Sequence, residues 1–110
     1  MDLGGKRIIV TGAGGFVGSR LCEVLTLGDY GCDVIGIVRN IGRAARIGRL
    51  PLEIRKADVT DQRTMSELIE NADVVVHLAL GGGKGIVTGT RVVAAAGRRS
   101  GIRRFVHMST

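Results

Sequence analysis

Thr11-Gly12-Ala13-Gly14-Gly15-Phe16-Val17-Gly18 follows directly on the apolar run Ile8-Ile9-Val10. Beyond it a helical pattern begins, with Phe16, Val17, Leu21, Val24 and Leu25 expected on one side. A strand, a tight glycine turn and a helix are what a dinucleotide pyrophosphate requires. The first N–H groups of a helix lack intrahelical partners, and the helix dipole adds partial positive charge there. Gly12 is expected to permit the turn, Gly15 to let the backbone approach a ligand, and Gly18 to let helix and strand pack closely.

Working outward, strand and helix alternate along the whole chain. Strands are expected at about Arg7–Thr11, Asp33–Val38, Leu52–Lys56, Asp73–Leu78 and Arg104–Met108. Helices are expected at about Gly15–Leu27, Asp61–Asn71 and Val87–Arg99, with Met65, Leu68 and Ile69 as the apolar stripe of the second. Apolar runs in the first and fourth strands predict burial on both faces, as in a parallel sheet. The fold expected is α/β, a Rossmann-type doubly wound parallel sheet of about five strands in the order 3-2-1-4-5. A cofactor would sit at the switch between strands one and four. Arg39–Leu50 reads as a basic stretch, and Gly81-Gly82-Gly83-Lys84-Gly85 as a flexible strand-to-helix loop.

Bulk composition sets bounds. The 110 residues are read as one domain with a modest core. An apolar fraction of 45% and a charged fraction of 24% suit a globular protein. No apolar run reaches the ~18 residues of a membrane span. Met1-Asp2-Leu3-Gly4-Gly5-Lys6 lacks a signal-peptide layout, so the cytoplasm is the expected location. Cys22 and Cys32 form neither a zinc pattern nor a disulfide framework, so both are expected to be buried or half-buried thiols, and no metal site is expected. A net charge of +6 admits nucleic acid as a partner. With only three aromatic residues, Phe16, Tyr30 and Phe105, and no recognition motif, that reading ranks last.

The glycine spacing is G-x-x-G-x-x-G after a threonine. In this it resembles the extended short-chain dehydrogenase/reductase family, the nucleotide-sugar epimerases, dehydratases and related reductases. Their signature T-G-x-x-G-F-x-G is matched by Thr11, Gly12, Gly15, Phe16 and Gly18. The resemblance implies a dinucleotide at Gly12, Gly15, Phe16, Val17 and Gly18. Asp58-Val59-Thr60-Asp61 resembles a motif whose first Asp and next amide meet the adenine, which assigns that contact to Asp58 and Val59. Thr60 or Asp61 would also cap the following helix. Val75-Val76-His77-Leu78-Ala79 resembles V-x-H-L-A-A, whose backbone at Leu78 and Ala79 borders the cofactor. By the same resemblance His77 is structural, a satisfied histidine near the sheet rather than a general base. Gly89-Thr90 and Val92–Ala96 resemble a family helix, but Ile86 stands where the family has Asn, and the stretch from Ala79 to Gly89 is short. Phe105-Val106-His107-Met108-Ser109-Thr110 resembles the end of the fifth strand. That alignment puts the catalytic hydroxyl at Thr110, or at Ser109 if the register slips by one.

The end of the second strand bears on cofactor choice. An acidic residue there would bind the ribose hydroxyls and repel a 2′-phosphate. This chain has Val38, Arg39 and Asn40 instead, with Arg39 lying 21 residues beyond Gly18. A guanidinium pairs well with phosphate. The reading therefore favours NADP over NAD, with Arg39 as primary contact and Arg43 as helper.

Family chemistry also needs Y-x-x-x-K for proton transfer. The only tyrosine is Tyr30, and its i+4 residue is Val34. The chain is thus expected to be the N-terminal, cofactor-binding part of the family domain, truncated relative to it and inactive alone. A small-molecule substrate would need the absent part. Hydride transfer by an epimerase, dehydratase or reductase is one functional expectation, and a catalytically silent dinucleotide-binding or redox-sensing module the other. An unpaired fifth strand predicts a tendency to dimerise or aggregate.

Overall fold

The computed structural model describes residues 2–79 and 84–107. Five strands form one parallel sheet: β1 (Arg7–Thr11), β2 (Asp33–Val38), β3 (Glu53–Lys56), β4 (Val74–His77) and β5 (Arg104–His107). The order is β3-β2-β1-β4-β5, as the alternation of elements implied. Three helices connect them: α1 (Phe16–Leu27), α2 (Gln62–Ile69) and α3 (Lys84–Ser100). Register is continuous across the centre, with Ile9 opposite Ile35 on one side and Val75 on the other, and Thr11 opposite His77.

Side chains alternate across the sheet and divide the core in two. Ile8, Val10, Val34, Val38 and Val74 pack with Cys22 and Leu25 of α1. Ile9, Ile35, Ile37 and Val75 pack with Met65 and Ile69 of α2 and Val93 and Ala96 of α3. Ile9, Val75, Met65, Ile69 and Val93 are fully buried. Each such side chain contributes roughly 1.5–3 kcal/mol relative to exposure. At the edge of the sheet where the strands begin, Asp73 ties β1 to β4: its Oδ2 accepts from the Arg7 N–H at 2.9 Å. Its carbonyl accepts from the Arg103 N–H at 2.8 Å, which places β5 beside them.

Two expectations need correction. Of the stripe expected on α1, Leu21 and Leu25 face the core, but Phe16, Val17 and Val24 do not: they are 80%, 50% and 40% exposed. The buried face of α1 runs through Gly18, Cys22 and Leu25 instead. The helix turns its smallest residue inward at its start, where it must pass close to the turn that precedes it. Second, Arg39–Leu50 is more than a basic stretch. It carries a 3-10 turn at Ile41–Ala44, and Ala44 and Ile47 are buried against Val10, Ala13 and Val38. The segment is thereby anchored to the first core layer, with its arginines left outside. Cys22 is buried and Cys32 half-buried, both as free thiols, as expected. Burial pushes the Cys22 thiol up to about 11, which leaves it inert at neutral pH. Of the loop expected at Gly81–Gly85, residues 81–83 lie outside the described residues, and Lys84 and Gly85 open α3 instead.

Candidate functional site

The strands all end at one edge of the sheet, and the turns leaving them enclose a cleft of about 530 Å³. Its near wall is the turn after β1. Gly12 has a φ of +66°, and a Cβ there would lie 2.7 Å from the backbone of Leu78 and Ala79. Only glycine lets the end of β1 run that close to the end of β4. The Ala13 N–H donates to the Ile37 carbonyl at 3.2 Å and the Gly15 N–H to the Gly12 carbonyl at 3.1 Å, so the turn is fixed to β2 and to itself. A Cβ on Gly18 would collide with the Gly12 carbonyl. The close packing expected of Gly18 is therefore against the turn itself.

Gly15 opens α1 in extended conformation and offers no capping side chain; the first turn holds no acidic residue. The N–H groups at the start of the helix are thus left for something other than this chain's own side chains. Gly12, Gly14 and Gly15 all line the cleft. Opposite them stand Val38 and Arg39 at the end of β2, Arg43 just beyond, and Ala57 to Thr60 after β3. Leu78 and Ala79 form the floor. Among the described residues Arg39 and Arg43 take no part in an ion pair.

Asp58 is committed within its own turn. One carboxylate oxygen accepts from the Thr60 N–H at 2.9 Å and the Thr60 hydroxyl at 2.7 Å. The Thr60 amide first, its hydroxyl next, and to a lesser degree the Arg39 charge hold this carboxyl below the ordinary range. Asp61, as anticipated, caps α2: it accepts from the Thr64 N–H at 3.2 Å and the Thr64 hydroxyl at 2.8 Å.

The floor is held from beneath by a buried polar chain. The Thr11 hydroxyl oxygen accepts from the Leu78 N–H at 3.0 Å and the Ala79 N–H at 3.1 Å. Its lone pairs are then taken, so its proton goes to Nδ1 of His77, 2.7 Å away. Nδ1 is therefore an acceptor, and Nε2 carries the ring proton toward the Thr90 hydroxyl at 3.3 Å. His77 is 1% exposed. Burial first, and the neighbouring His107 ring second, push its pKa down to about 4. The histidine is neutral, fully bonded and structural, and it links β1, β4 and α3 under the cleft.

Of the residues expected at the cofactor, Gly12, Gly15, Arg39, Asp58, Val59, Leu78 and Ala79 come together in this cleft, with Arg43 beside them. Phe16, Val17 and Gly18 do not line it; they form the opening turn of α1. Ser109 and Thr110 lie outside the described residues. Sequence reasoning missed Gly14. A Cβ there would collide with the Arg43 carbonyl, a contact that sequence spacing does not show. It also missed Arg46, whose Nη1 donates to the Gly14 carbonyl at 3.1 Å.

A glycine turn, an uncapped helix and two unpaired guanidinium groups around one cleft suit a ligand that carries phosphates along its length. Comparison with known proteins agrees. A family model described as NAD(P)H-binding matches residues 12–110. The chain belongs to this NAD(P)H-binding family, among the extended short-chain dehydrogenase/reductases. It is 34% identical over 124 residues to a 3β-hydroxysteroid dehydrogenase/Δ5→4-isomerase of Mycobacterium tuberculosis, covering 94% of this chain and 31% of that protein. It is 32% identical to a dTDP-glucose 4,6-dehydratase of Streptomyces antibioticus, covering 94% of this chain and 37% of the other. Among solved structures, the Bordetella bronchiseptica enzyme WbmH, in complex with NAD+, superposes with a TM-score of 0.79 at 26% identity, over 91% of this chain and 37% of that one. The chain thus spans about a third of the length of these relatives. Among the described residues no helix is long and apolar enough to cross a membrane.

Proposed function

We propose that this chain is the cofactor-binding portion of an NADP-preferring epimerase, dehydratase or reductase, acting on a nucleotide sugar or a similar carbonyl or hydroxyl compound. The observation that carries the cofactor preference is the wall at the end of β2. Val38 and Arg39 stand there with Arg43, and no carboxylate occupies the position that would bind ribose hydroxyls and repel a 2′-phosphate. Asp58, the nearest acidic group on that wall, is already held by Thr60.

In this reading the chain's own residues bind and orient. The opening turn of α1, with Gly12 and Gly15, receives the pyrophosphate. Asp58 and Val59 border the adenine, Arg39 takes the 2′-phosphate with Arg43 beside it, and Leu78 and Ala79 bound the cleft toward the nicotinamide. When bound, the cofactor supplies hydride transfer at its nicotinamide. Proton transfer needs a Tyr-Lys pair, and Tyr30 cannot serve. It sits in the connection before β2, at the opposite edge of the sheet from the cleft. A hydroxyl at Thr110, or Ser109, would contact the substrate's reacting oxygen. Self-association along the edge strand β5, where Val106 is exposed, and a cytoplasmic setting belong to the same proposal. A catalytically silent dinucleotide-binding or redox-sensing module is the second reading.

Titration with NADPH and NADH, followed by nicotinamide fluorescence and thermal shift, tests the preference. NADPH should bind more tightly. Arg39→Ala should weaken NADPH roughly tenfold or more, the scale of a lost charge-assisted hydrogen bond, while NADH stays within about twofold. Equal loss for both cofactors, or none for NADPH, would overturn the assignment of Arg39.

A further inference from the structure

The segment between β2 and β3 closes onto the glycine turn, and one of the contacts there comes from a residue with no role in the proposed function. Arg46 donates from Nη1 to the Gly14 carbonyl at 3.1 Å. Its guanidinium carbon lies 4.1 Å from the centroid of the Phe16 ring. Phe16 is 80% exposed with this contact in place, and the guanidinium lies over one face of its ring. Next to it the Arg43 backbone abuts Gly14 so closely that no Cβ fits between them. Ala44 and Ile47, flanking Arg46 in sequence, are buried in the core. The segment is therefore anchored inside by two apolar residues and fastened outside by one arginine.

We infer that Arg46 is a positioning residue: by gripping Gly14 and Phe16 it locks the segment 39–50 onto the glycine turn, and so sets Arg39 and Arg43 across the cleft from the start of α1. The inference rests on the reading of Arg39 as a phosphate contact. Its physical basis is separate. A planar guanidinium donates in its own plane and stacks across its face, so it can hold a carbonyl and an aromatic ring together. An ammonium can match its charge but not this geometry. The grip also leaves most of the five N–H donors of Arg46 free and adds positive charge at the outer lip of the turn.

Two measurements separate this inference from the reading it rests on. The first needs no ligand. Amide hydrogen exchange in the free chain should show faster exchange at residues 40–46 in Arg46→Ala and in Phe16→Leu. Exchange in β1 and β4 should be unchanged. The second compares 2′,5′-ADP, which carries the 2′-phosphate, with 5′-ADP, which lacks it. The preference for 2′,5′-ADP should fall roughly three- to tenfold in Arg46→Ala. Arg46→Lys should fail to restore it, and Phe16→Leu added to Arg46→Ala should lower it no further. Unchanged exchange at residues 40–46 overturns the inference, as does rescue by lysine or equal weakening of both ligands. If the unaltered chain shows no preference for 2′,5′-ADP, the reading of Arg39 falls, and the exchange measurement still decides whether Arg46 fastens the segment.

Discussion

Two helices begin at the same edge of the sheet, and they begin differently. At α2 the chain satisfies itself: Asp61 accepts from both the amide and the hydroxyl of Thr64. At α1 the capping position is Gly15, and neither a side-chain cap nor an acidic residue in the first turn meets the open amides. A helix that serves only the fold gains from a side-chain cap of about 1 kcal/mol. A helix that lacks one, beside a cleft walled by glycines, leaves its donors open, which is what the proposed pyrophosphate contact requires. The contrast separates structure from binding within one molecule.

The sharpest way to break the contrast is to give α1 the cap that α2 has. Gly15 is the site, because its backbone is extended, with φ −77°, and a Cβ there meets only the Gly12 carbonyl at an ordinary 3.5 Å. Gly15→Asp should hold or raise the melting temperature. It should weaken NADPH and NADH alike by at least about tenfold, since a carboxylate would occupy the donors and repel phosphate. Tight cofactor binding by this variant would show that the open amides of α1 are not the anion site. Asp61→Ala makes the converse change and should have the smaller effect: a lower melting temperature with cofactor affinity unaltered. The Thr64 hydroxyl first, and its amide second, hold the Asp61 carboxyl below its ordinary 3.8. Its stabilising share is therefore whole above that pH and is lost as pH falls through the native value. A melting temperature in Asp61→Ala equal to the parent at pH 7 would remove Asp61 as a functioning cap.

The same contrast shows what could be read from sequence. β1 and the glycine spacing were legible because turn geometry demands those residues at those positions, and the sheet order followed from the alternation of elements. The cap of α2 was legible because Asp followed by a helical stripe has a local cause. The inward face of α1 was legible only in part: Leu25 is buried and Leu21 packs against the core as expected, but the rest of the stripe turns outward. Phe16, Val17 and Val24 form an apolar stripe as convincing as a core face, yet the core takes Gly18, Cys22 and Leu25. Hydrophobic pattern counts apolar residues, whereas close approach to the turn selects the smallest one. Residues 39–50 were hidden for another reason. Only Ala44 and Ile47 are buried there, too few to form a periodic signal among the arginines. The grip of Arg46 on Gly14 joins residues 32 apart, and no local pattern records such a pairing.

The chain from Thr11 through His77 to Thr90 has an effect that reaches beyond geometry, on how the molecule responds to acid. Native His77 excludes a proton down to about pH 4, whereas the free side chain accepts one near 6.5. Between those values the unfolded chain binds a proton that the folded one refuses. His77 therefore adds stability in full above about 6.5, and that share drains away as pH falls toward 4. Urea melts across this window should show stability declining on acidification, with a flatter profile in His77→Asn, which keeps an acceptor for Thr11 but cannot titrate. Identical profiles would refute the neutral assignment. Acid would thus loosen this protein first at the joint between β1, β4 and α3, directly beneath the floor of the cleft.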